Sequence, residues 1–269
     1  MKVSFADFDL PKQLNSALEK LGISEPTPIQ LKSFSPIMSG KDVMGIAQTG
    51  TGKTLAYLLP VLKTWKYNKN GSPTVLILVP TRELVVQVAE VVEKLTEDMS
   101  TRVLGVYGGV NINTQKLLVY EGVDILVGTP GRVMDLMKDA VLNLKDLKKL
   151  IIDEFDEMLS LGFRRQLEDI FTMMSERRQN ILFSATMTDD VDAMLDEYFK
   201  NPQEISLARS GTPLEKIAQS AIPVKNFNTK LNLLVHLLRT QDEFEKILIF
   251  ANNKRHVDLT FNKIDEEFP

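Results

Sequence analysis

Short runs of apolar and β-branched residues alternate along the chain with longer stretches in which apolar residues recur every three or four positions. The apolar runs are residues 42–48, 74–80, 102–108, 124–129, 150–154 and 181–186. Several are apolar at almost every position, which is typical of parallel strands buried on both faces. Between two of them, Leu84, Val88, Val91 and Leu95 fall on one stripe of a helix. The repeated order of strand and helix predicts an α/β fold, with a doubly wound parallel sheet and helices on both faces.

The loops that follow these strands are expected to share one rim of the sheet. In doubly wound folds, ligands bind at the carboxyl ends of the parallel strands. The loop residues concerned are 47–54, 80–83, 108–109, 129–132, 153–156 and 184–186. Candidate functional side chains are therefore expected among them.

The pattern changes near residue 208. Residues 208–214 combine Ser, Gly, Thr and Pro and are interpreted as a linker after a first domain at 1–207. Residues 215–269 contain about two strand–helix units, with a strand expected at 246–252. A complete domain of this class needs roughly 100 residues or more, so residues 215–269 are expected to be the truncated start of a second domain.

The composition excludes several classes of protein. Hydrophobic residues make up 43% and charged residues 25% of the 269 positions, as in ordinary globular domains. No apolar run approaches the roughly 18 residues of a membrane-spanning helix, and the N-terminal segment lacks the apolar core of a signal peptide. Cysteine is absent, which excludes disulfides and Cys-ligated metal sites. We expect a cytoplasmic monomer that has no membrane partner.

Residues 47–54, AQTGTGKT, follow a predicted strand and precede a helical pattern, as a phosphate-binding loop does. Gly50 and Gly52 would let the backbone approach phosphate oxygens, and the helix N-terminus would point its N–H groups at them. Lys53 would reach the β- and γ-phosphates of a nucleotide, and the Thr54 hydroxyl would bind Mg²⁺. A Gly-rich turn with an exposed lysine is the alternative.

Two further strand ends carry polar residues that suit phosphate chemistry. The run 150–154 ends in Asp153 and Glu154. Asp153 would hold Mg²⁺, and Glu154 would orient and deprotonate an attacking water. A solvated, acidic helix start is the alternative. Ser184 and Thr186 end another strand, and their hydroxyls can hydrogen-bond a carboxylate at the neighbouring strand end.

Taken in order, these residues resemble a DEAD-box ATP-dependent RNA helicase of superfamily 2, over residues 5 to about 257. The segments that carry the resemblance are GISEPTPIQ (22–30), AQTGTGKT (47–54), PTREL (80–84), Gly108–Gly109, TPGR (129–132), DEFD (153–156), SAT (184–186) and ILIFANNK (247–254). Ala47 stands where the general phosphate-loop pattern has Gly, and it is the residue this family usually has there. The resemblance implies a RecA-like first domain of the P-loop type, followed by the start of a second.

The resemblance implies a site for ATP and Mg²⁺. Gln30 would pair with adenine N6 and N7, because an amide donates and accepts at once, and Phe5 would stack on the base. Guanine presents the opposite pattern, so Gln30 would select ATP. The loop residues implied are Ala47, Gln48, Thr49, Gly50, Thr51, Gly52, Lys53 and Thr54. The catalytic residues implied are Lys53, Asp153 and Glu154, and the Mg²⁺ ligands implied are Thr54 and Asp153.

The resemblance also implies an RNA site. The net charge of −4 leaves no generally basic surface, so such a site must be a local cluster. Arg82 and Arg132 would contact RNA phosphates, with solvated helix-start arginines as the alternative. The RNA-binding residues implied are Pro80, Thr81, Arg82, Gly108, Gly109, Thr129, Pro130, Gly131 and Arg132. The residues that would couple the two sites are Asp156, Ser184, Ala185 and Thr186.

Two departures from the family pattern affect the expected function. Phe155 stands where the family usually has Ala, which leaves open how DEFD packs against SAT. The family's later arginines would lie after residue 269. The expected function is ATP hydrolysis coupled to local unwinding or remodelling of RNA, with no unwinding by this chain alone. A P-loop translocase acting on DNA and a non-catalytic short form that binds ATP or RNA are the alternatives.

Overall fold

The computed structural model describes residues 4–207, 218, 220–240 and 245–268. The chain divides into two compact units, Met1–Thr212 and Pro213–Pro269. The predicted linker at 208–214 lies outside the described residues, so the predicted domain boundaries stay predictions.

The first unit is built on one parallel sheet. Its strands are β1 (Val43–Ile46), β2 (Val75–Leu78), β3 (Val103–Val106), β4 (Ile125–Gly128), β5 (Lys149–Ile152), β6 (Gln179–Ser184) and β7 (Gln203–Ser206). Their order across the sheet is β3-β4-β2-β5-β6-β1-β7, and every neighbouring pair is parallel. Each predicted apolar run overlaps one strand, although β5 and β6 begin one and two residues before their runs, so the predicted α/β fold with a parallel sheet is confirmed.

Helices connect the strands. After a 3₁₀ turn at Phe5–Phe8 they are α1 (Lys12–Lys20), α2 (Pro28–Met38), α3 (Lys53–Thr64), α4 (Arg82–Leu95), α5 (Ile112–Tyr120), α6 (Pro130–Lys138), α7 (Phe155–Ser160), α8 (Arg164–Met173) and α9 (Asp189–Tyr198). The second unit contains α10 (Phe227–Thr240) and α11 (Lys254–Glu267). None of the described helices is both long enough and apolar enough to cross a membrane.

Two hydrophobic cores lie on opposite faces of the sheet. In β2, Val75 and Ile77 belong to the core that includes residues of α1 to α4, whereas Leu76 and Leu78 belong to the core that includes residues of α6, α8 and α9. Alternate side chains of a strand point to opposite faces, so a strand that is apolar throughout fills both cores. With both faces covered, the strand ends are where a ligand reaches the sheet.

The edge strand β7 has no counterpart among the predicted runs. It reads QEIS, and only Ile205 of the four residues is buried. It pairs with β1 alone. An edge strand with one buried side chain carries almost no hydrophobic pattern, which explains why the sequence did not indicate it.

The strand predicted at 246–252 is wrong for this structure. Residues 246–251 have no strand assignment, and the side chains of Leu248 and Phe250 are exposed. A strand needs a hydrogen-bonded neighbour to satisfy its backbone groups. Among the described residues after 207 there is no other strand to supply one.

Asp42 anchors the start of β1. Its Oδ1 accepts a hydrogen bond from the backbone N–H of Asn180 at 2.7 Å, and its Oδ2 accepts from Nδ2 of Asn180 at 3.0 Å and from the backbone N–H of Lys200 at 3.1 Å. Charge-assisted hydrogen bonds are about twice as strong as neutral ones. The carboxylate therefore fixes β1 against β6 and against the segment that leads to β7, and with them the loop that begins at the other end of β1.

We expect Gly45→Ala to destabilise the first unit. An added methyl group would lie 2.4 Å from the ring of Phe183, which is fully buried on β6. Overpacking a dense core costs about 1–3 kcal/mol, and urea unfolding followed by circular dichroism would measure the loss. Gly131→Ala is the matched control, because its methyl group would meet only Phe163, at 3.9 Å. Equal unfolding midpoints for the two variants would contradict this packing argument.

Candidate active site

The loop between β1 and α3 wraps around the N-terminus of α3. Gly50 and Gly52 have φ angles of 82° and 90°, a region that glycine adopts without strain. The Thr51 hydroxyl donates to the carbonyl of Gln48 at 2.8 Å and closes the turn. Because α3 begins at Lys53, the unpaired N–H groups of its first turn face this loop. The loop therefore has the geometry of an anion site.

Neighbouring loop residues connect the anion site to other strands. Ala47 is buried, and its N–H donates to the carbonyl of Ser184 at the end of β6 at 3.0 Å. The hydroxyl of Thr49 donates to Glu154 Oε1 at 3.2 Å. Thr54 lies in the first turn of α3. The loop is thus held from β6 and from the end of β5.

Lys53 forms the central contact of the site. Its side chain is only 5% exposed, with Nζ 2.8 Å from Glu154 Oε1 and 3.8 Å from Asp153 Oδ1. A buried ammonium is stable only when it is paired. The first residue of α3 is therefore joined to the two carboxylates that follow β5.

Burial perturbs the acidic groups around Lys53. It raises the pKa of Asp153 to about 6, while the ammonium of Lys53 acts in the opposite direction. Tyr57, one turn after Lys53 in α3, is fully buried, and burial together with the Asp153 carboxylate raises the pKa of its phenol well above the usual value. The sequence analysis missed Tyr57, whose only signal is its spacing of four residues from Lys53.

The oxygen donors at this position fit Mg²⁺. Asp153 offers a carboxylate and Thr54 a hydroxyl, and Mg²⁺ is usually held by one or two carboxylates together with waters and substrate phosphates. A divalent cation would also compensate the poorly solvated charge of Asp153. The described part of the chain contains no group of three or more His, Asp or Glu side chains that could hold a metal ion unaided. The residues therefore suit a metal ion that arrives with a nucleotide.

Glu154 adopts a strained backbone conformation. Its φ and ψ are 54° and 52°, in the left-handed region, where a non-glycine residue costs of the order of 1–3 kcal/mol. Its N–H donates to Asp153 Oδ1 at 3.0 Å, and its carboxylate is held by Lys53 and Thr49. This conformation lets the chain turn from β5 directly into α7, and it directs Glu154 towards the loop.

Phe155 does not stand between the two flanking carboxylates. Its ring is fully buried in the same core as Ile152, Met158 and Leu182. It therefore packs beneath the strand ends. Within the first unit the aromatic ring fills the core, and Glu154 and Asp156 make their contacts at the rim.

Asp156 joins the end of β5 to the end of β6. Its Oδ2 accepts from the Thr186 hydroxyl at 2.6 Å and from the Thr186 N–H at 2.9 Å, and its Oδ1 accepts from the Ala185 N–H at 3.4 Å. Burial acts to raise the pKa of Asp156, but hydrogen bonds with Thr186 and Ser184 outweigh it and hold the pKa below its usual value. The Thr186 hydroxyl thus bonds a carboxylate at the neighbouring strand end, as predicted, whereas the Ser184 hydroxyl donates to the Thr186 carbonyl at 2.8 Å.

Gln30 contacts the loop from α2. Its side chain is 2% exposed; Oε1 accepts from the Thr27 N–H at 2.9 Å, and Nε2 donates to the Gly52 carbonyl at 3.1 Å. One amide proton and one oxygen lone pair remain for a further partner. Phe5 is buried, with its ring edge-on to Phe8 at a centroid distance of 5.6 Å. The adenine contacts of Gln30 and Phe5 stay predictions.

The predicted RNA-binding residues follow a different half of the sheet. They follow β2, β3 and β4, which are adjacent in the order β3-β4-β2. Apart from Phe5 and Gln30, which precede β1, the predicted nucleotide and coupling residues follow β5, β6 and β1. Pro80, Thr81 and Arg82 come after β2, and Thr81 caps α4 by accepting from the Leu84 N–H at 3.3 Å. Thr129, Pro130 and Gly131 begin α6 after β4.

Arg82 and Arg132 differ in exposure. Arg82 is exposed, with its guanidinium carbon 4.9 Å from the ring centroid of Tyr107. The Arg132 side chain is only 8% exposed; Nη1 donates to Gln115 Oε1 at 2.6 Å and Nη2 to the Val110 carbonyl at 3.0 Å. An RNA phosphate contact from Arg132 stays a prediction, and here its guanidinium binds protein groups. The sequence analysis missed Gln115 and Tyr107.

Comparison with known proteins agrees with this geometry. The family model described as DEAD/DEAH box helicase matches residues 27–194. The chain is 38% identical over 254 residues to the ATP-dependent RNA helicase DeaD of Escherichia coli (strain K12), covering 94% of this chain and 40% of that protein. It is 37% identical over 256 residues to the DEAD-box ATP-dependent RNA helicase CshA of Streptococcus pneumoniae serotype 4, covering 95% of this chain and 48% of that protein.

The chain thus spans less than half the length of these relatives. The matched region, residues 27–194, contains Gln30, the phosphate loop, both strand-end carboxylates and the SAT segment. On the strength of that match and of the site within it, this chain belongs to the DEAD/DEAH box helicase family.

Proposed function

We propose that this chain forms the ATP-hydrolysing part of an ATP-dependent RNA helicase, acting as a monomer on single-stranded RNA or a short RNA duplex. The observation that carries the proposal is the 2.8 Å contact between Lys53 Nζ and Glu154 Oε1 at the N-terminus of α3. It unites a phosphate-binding cation with a candidate base. The names of the relatives, ATP-dependent RNA helicases, support the substrate class. ATP and RNA are both present in the cytoplasm, and we propose that location.

In the proposed reaction, phosphate oxygens of ATP replace Glu154 as partners of Lys53. Lys53 and the N–H groups at the start of α3 then bind the β- and γ-phosphates. Glu154 orients a water and accepts its proton as the water oxygen attacks the γ-phosphorus and the bond to the β-phosphate oxygen breaks. Asp153 and Thr54 would hold Mg²⁺, which when bound neutralises charge on the two phosphates.

Gly108 supports an RNA site at the end of β3. Its φ lies outside the left-handed region, and an added Cβ would meet nothing within 4 Å. No conformation or contact among the described residues therefore requires glycine at this position, whereas close approach of an RNA backbone would. The exposed guanidinium of Arg82 supplies positive charge next to Tyr107. We propose that RNA phosphates bind across the ends of β2, β3 and β4.

Lys53→Ala and Glu154→Gln are expected to affect nucleotide binding differently. Both break the same ion pair, but only Lys53→Ala removes the cation that holds phosphate. We expect Lys53→Ala to abolish ATP binding, and Glu154→Gln to bind ATP and hydrolyse it about 10²–10⁴ times more slowly, the usual contribution of a general base. Titration calorimetry with Mg·ATP and single-turnover hydrolysis would measure the two effects. Full hydrolysis by Glu154→Gln would remove it from the mechanism.

Gln30→Ala is expected to weaken ATP binding and to narrow the difference in affinity between ATP and GTP. Loss of one bidentate base contact costs about 1–3 kcal/mol. Ser33→Ala is the control, because the buried Ser33 hydroxyl also links α2 to α3, donating to the Ala56 carbonyl at 3.2 Å. Titrations of each variant with ATP and GTP would measure the difference in affinity between the two nucleotides. If both variants lower it equally, the effect comes from packing between the helices, and Gln30 does not read the base.

A polypeptide of residues 1–269 is expected to hydrolyse ATP slowly, with little stimulation by RNA and no duplex unwinding. An arginine that stabilises the transition state is worth about 10³–10⁵ in rate. In the part of the chain that the structure describes, the ion pairs of Asp153 and Glu154 are with Lys53 and not with arginine. Phosphate release with RNA or DNA, together with strand displacement, would test this. Robust RNA-stimulated turnover would contradict the expectation, and equal stimulation by DNA would contradict RNA as the substrate.

A further inference from the structure

The segment Tyr107–Val110, which follows β3, contains two glycines that no neighbouring group packs against closely. Gly109 has a φ of 83°, and a Cβ at either Gly108 or Gly109 would meet nothing within 4 Å. Glycine has more backbone freedom than any other residue. A segment of this kind binds a polymer well only if its backbone is already held in place, since ordering it during binding lowers the affinity.

Gln115 supplies the first constraint on this segment. It lies on α5, its side chain is buried, and its Nε2 donates to the Tyr107 carbonyl at 3.3 Å. Its Oε1 accepts from Nη1 of Arg132 at 2.6 Å. One amide therefore contacts the residue before the glycine pair and the first turn of α6.

Arg132 supplies the second constraint. Its Nη2 donates to the carbonyl of Val110 at 3.0 Å, and its Nε lies 3.8 Å from Asp135 Oδ2. The carbonyls on the two sides of Gly108–Gly109 are thus held by one connected network of two buried side chains. The aromatic ring of Tyr107 meanwhile packs against the guanidinium of Arg82 at 4.9 Å. The network joins the ends of β3 and β4.

We propose that Gln115 is a positioning residue for RNA binding: it fixes the Gly108–Gly109 backbone and links it to Arg132, without contacting RNA itself. This inference rests on the proposed function, because it assigns Gln115 a role in the RNA site at the ends of β2, β3 and β4. Removing the amide takes away the bond that Gln115 makes to the Tyr107 carbonyl and the one it accepts from the buried Arg132. Hydrogen bonds to charged groups are among the stronger ones. Losing such a bond changes the equilibrium constant for ordering the segment by about tenfold or more.

The test compares Gln115→Leu, Gln115→Glu and, as a matched polar-to-apolar control, Asn113→Leu, which changes an exposed residue of the same helix. The protein is titrated with a fluorescent oligouridylate of about ten nucleotides, within the usual range for single-strand sites, in the presence of a non-hydrolysable Mg·ATP analogue. We expect Gln115→Leu to weaken RNA binding about tenfold and to leave nucleotide affinity unchanged. Gln115→Glu keeps the acceptor for Arg132 and should show an intermediate loss.

The salt dependence separates positioning from direct contact. A residue that touches phosphate contributes to the slope of log K against log salt concentration, and its loss lowers the slope by about one unit. We expect Gln115→Leu to keep the wild-type slope and Arg82→Ala to reduce it. A slope reduced equally in Gln115→Leu and in Gln115→Glu, which keeps the acceptor for Arg132, would overturn the positioning role.

The remaining outcomes are also decisive. If the wild-type protein binds RNA and Gln115→Leu binds equally tightly, the inference is wrong and the proposed function stands. If the wild-type protein binds no RNA, the proposed function fails. If Gln115→Leu does not fold, Gln115→Glu becomes the test. A folded Gln115→Glu that binds RNA with wild-type affinity would overturn the role of the Tyr107 contact.

Discussion

The ion pair between Lys53 and Glu154 is the contact on which the site depends. It joins the loop after β1 to the loop after β5, across the end of the intervening strand β6. Both loops also contact the end of β6. The Ala47 N–H in the loop after β1 donates to the Ser184 carbonyl, and Asp156, which follows β5, accepts from Thr186. Three adjacent parallel strands thus bring a buried cation, two carboxylates and the SAT segment to one place.

The sequence predicted the parts of this arrangement that depend on pattern alone. β2 and β4 are buried on both faces, so they lie within the almost entirely apolar runs 74–80 and 124–129. Gly50 and Gly52 indicated a loop whose backbone can approach phosphate oxygens, and their φ angles of 82° and 90° are ones that glycine adopts without strain. Parallel pairing then brings the predicted loops to one rim without any information about individual contacts.

Side-chain direction was harder to predict, because it depends on partners distant in sequence. Arg132 was expected at the RNA surface, but Gln115, on a different helix, accepts from its guanidinium and is buried with it. In the sequence, Phe155 lies between two carboxylates that are at the rim. The backbone at Glu154 is left-handed, and the ring of Phe155 that follows it packs in the core. The sequence did not predict β7, because an edge strand with one buried residue, Ile205, has no periodic pattern of hydrophobic residues.

The division of the sheet into a predicted nucleotide half and a predicted RNA half has a consequence for inheritance. Along the chain, β1 comes first, β2, β3 and β4 follow, and β5 and β6 come afterwards. The strands of the RNA half therefore lie in the chain between two segments of the nucleotide half. Recombination between related genes can exchange it only with two crossovers, one between β1 and β2 and one between β4 and β5. A single crossover within this region would instead combine strands of different parents in the nucleotide half, so the two halves are expected to evolve together.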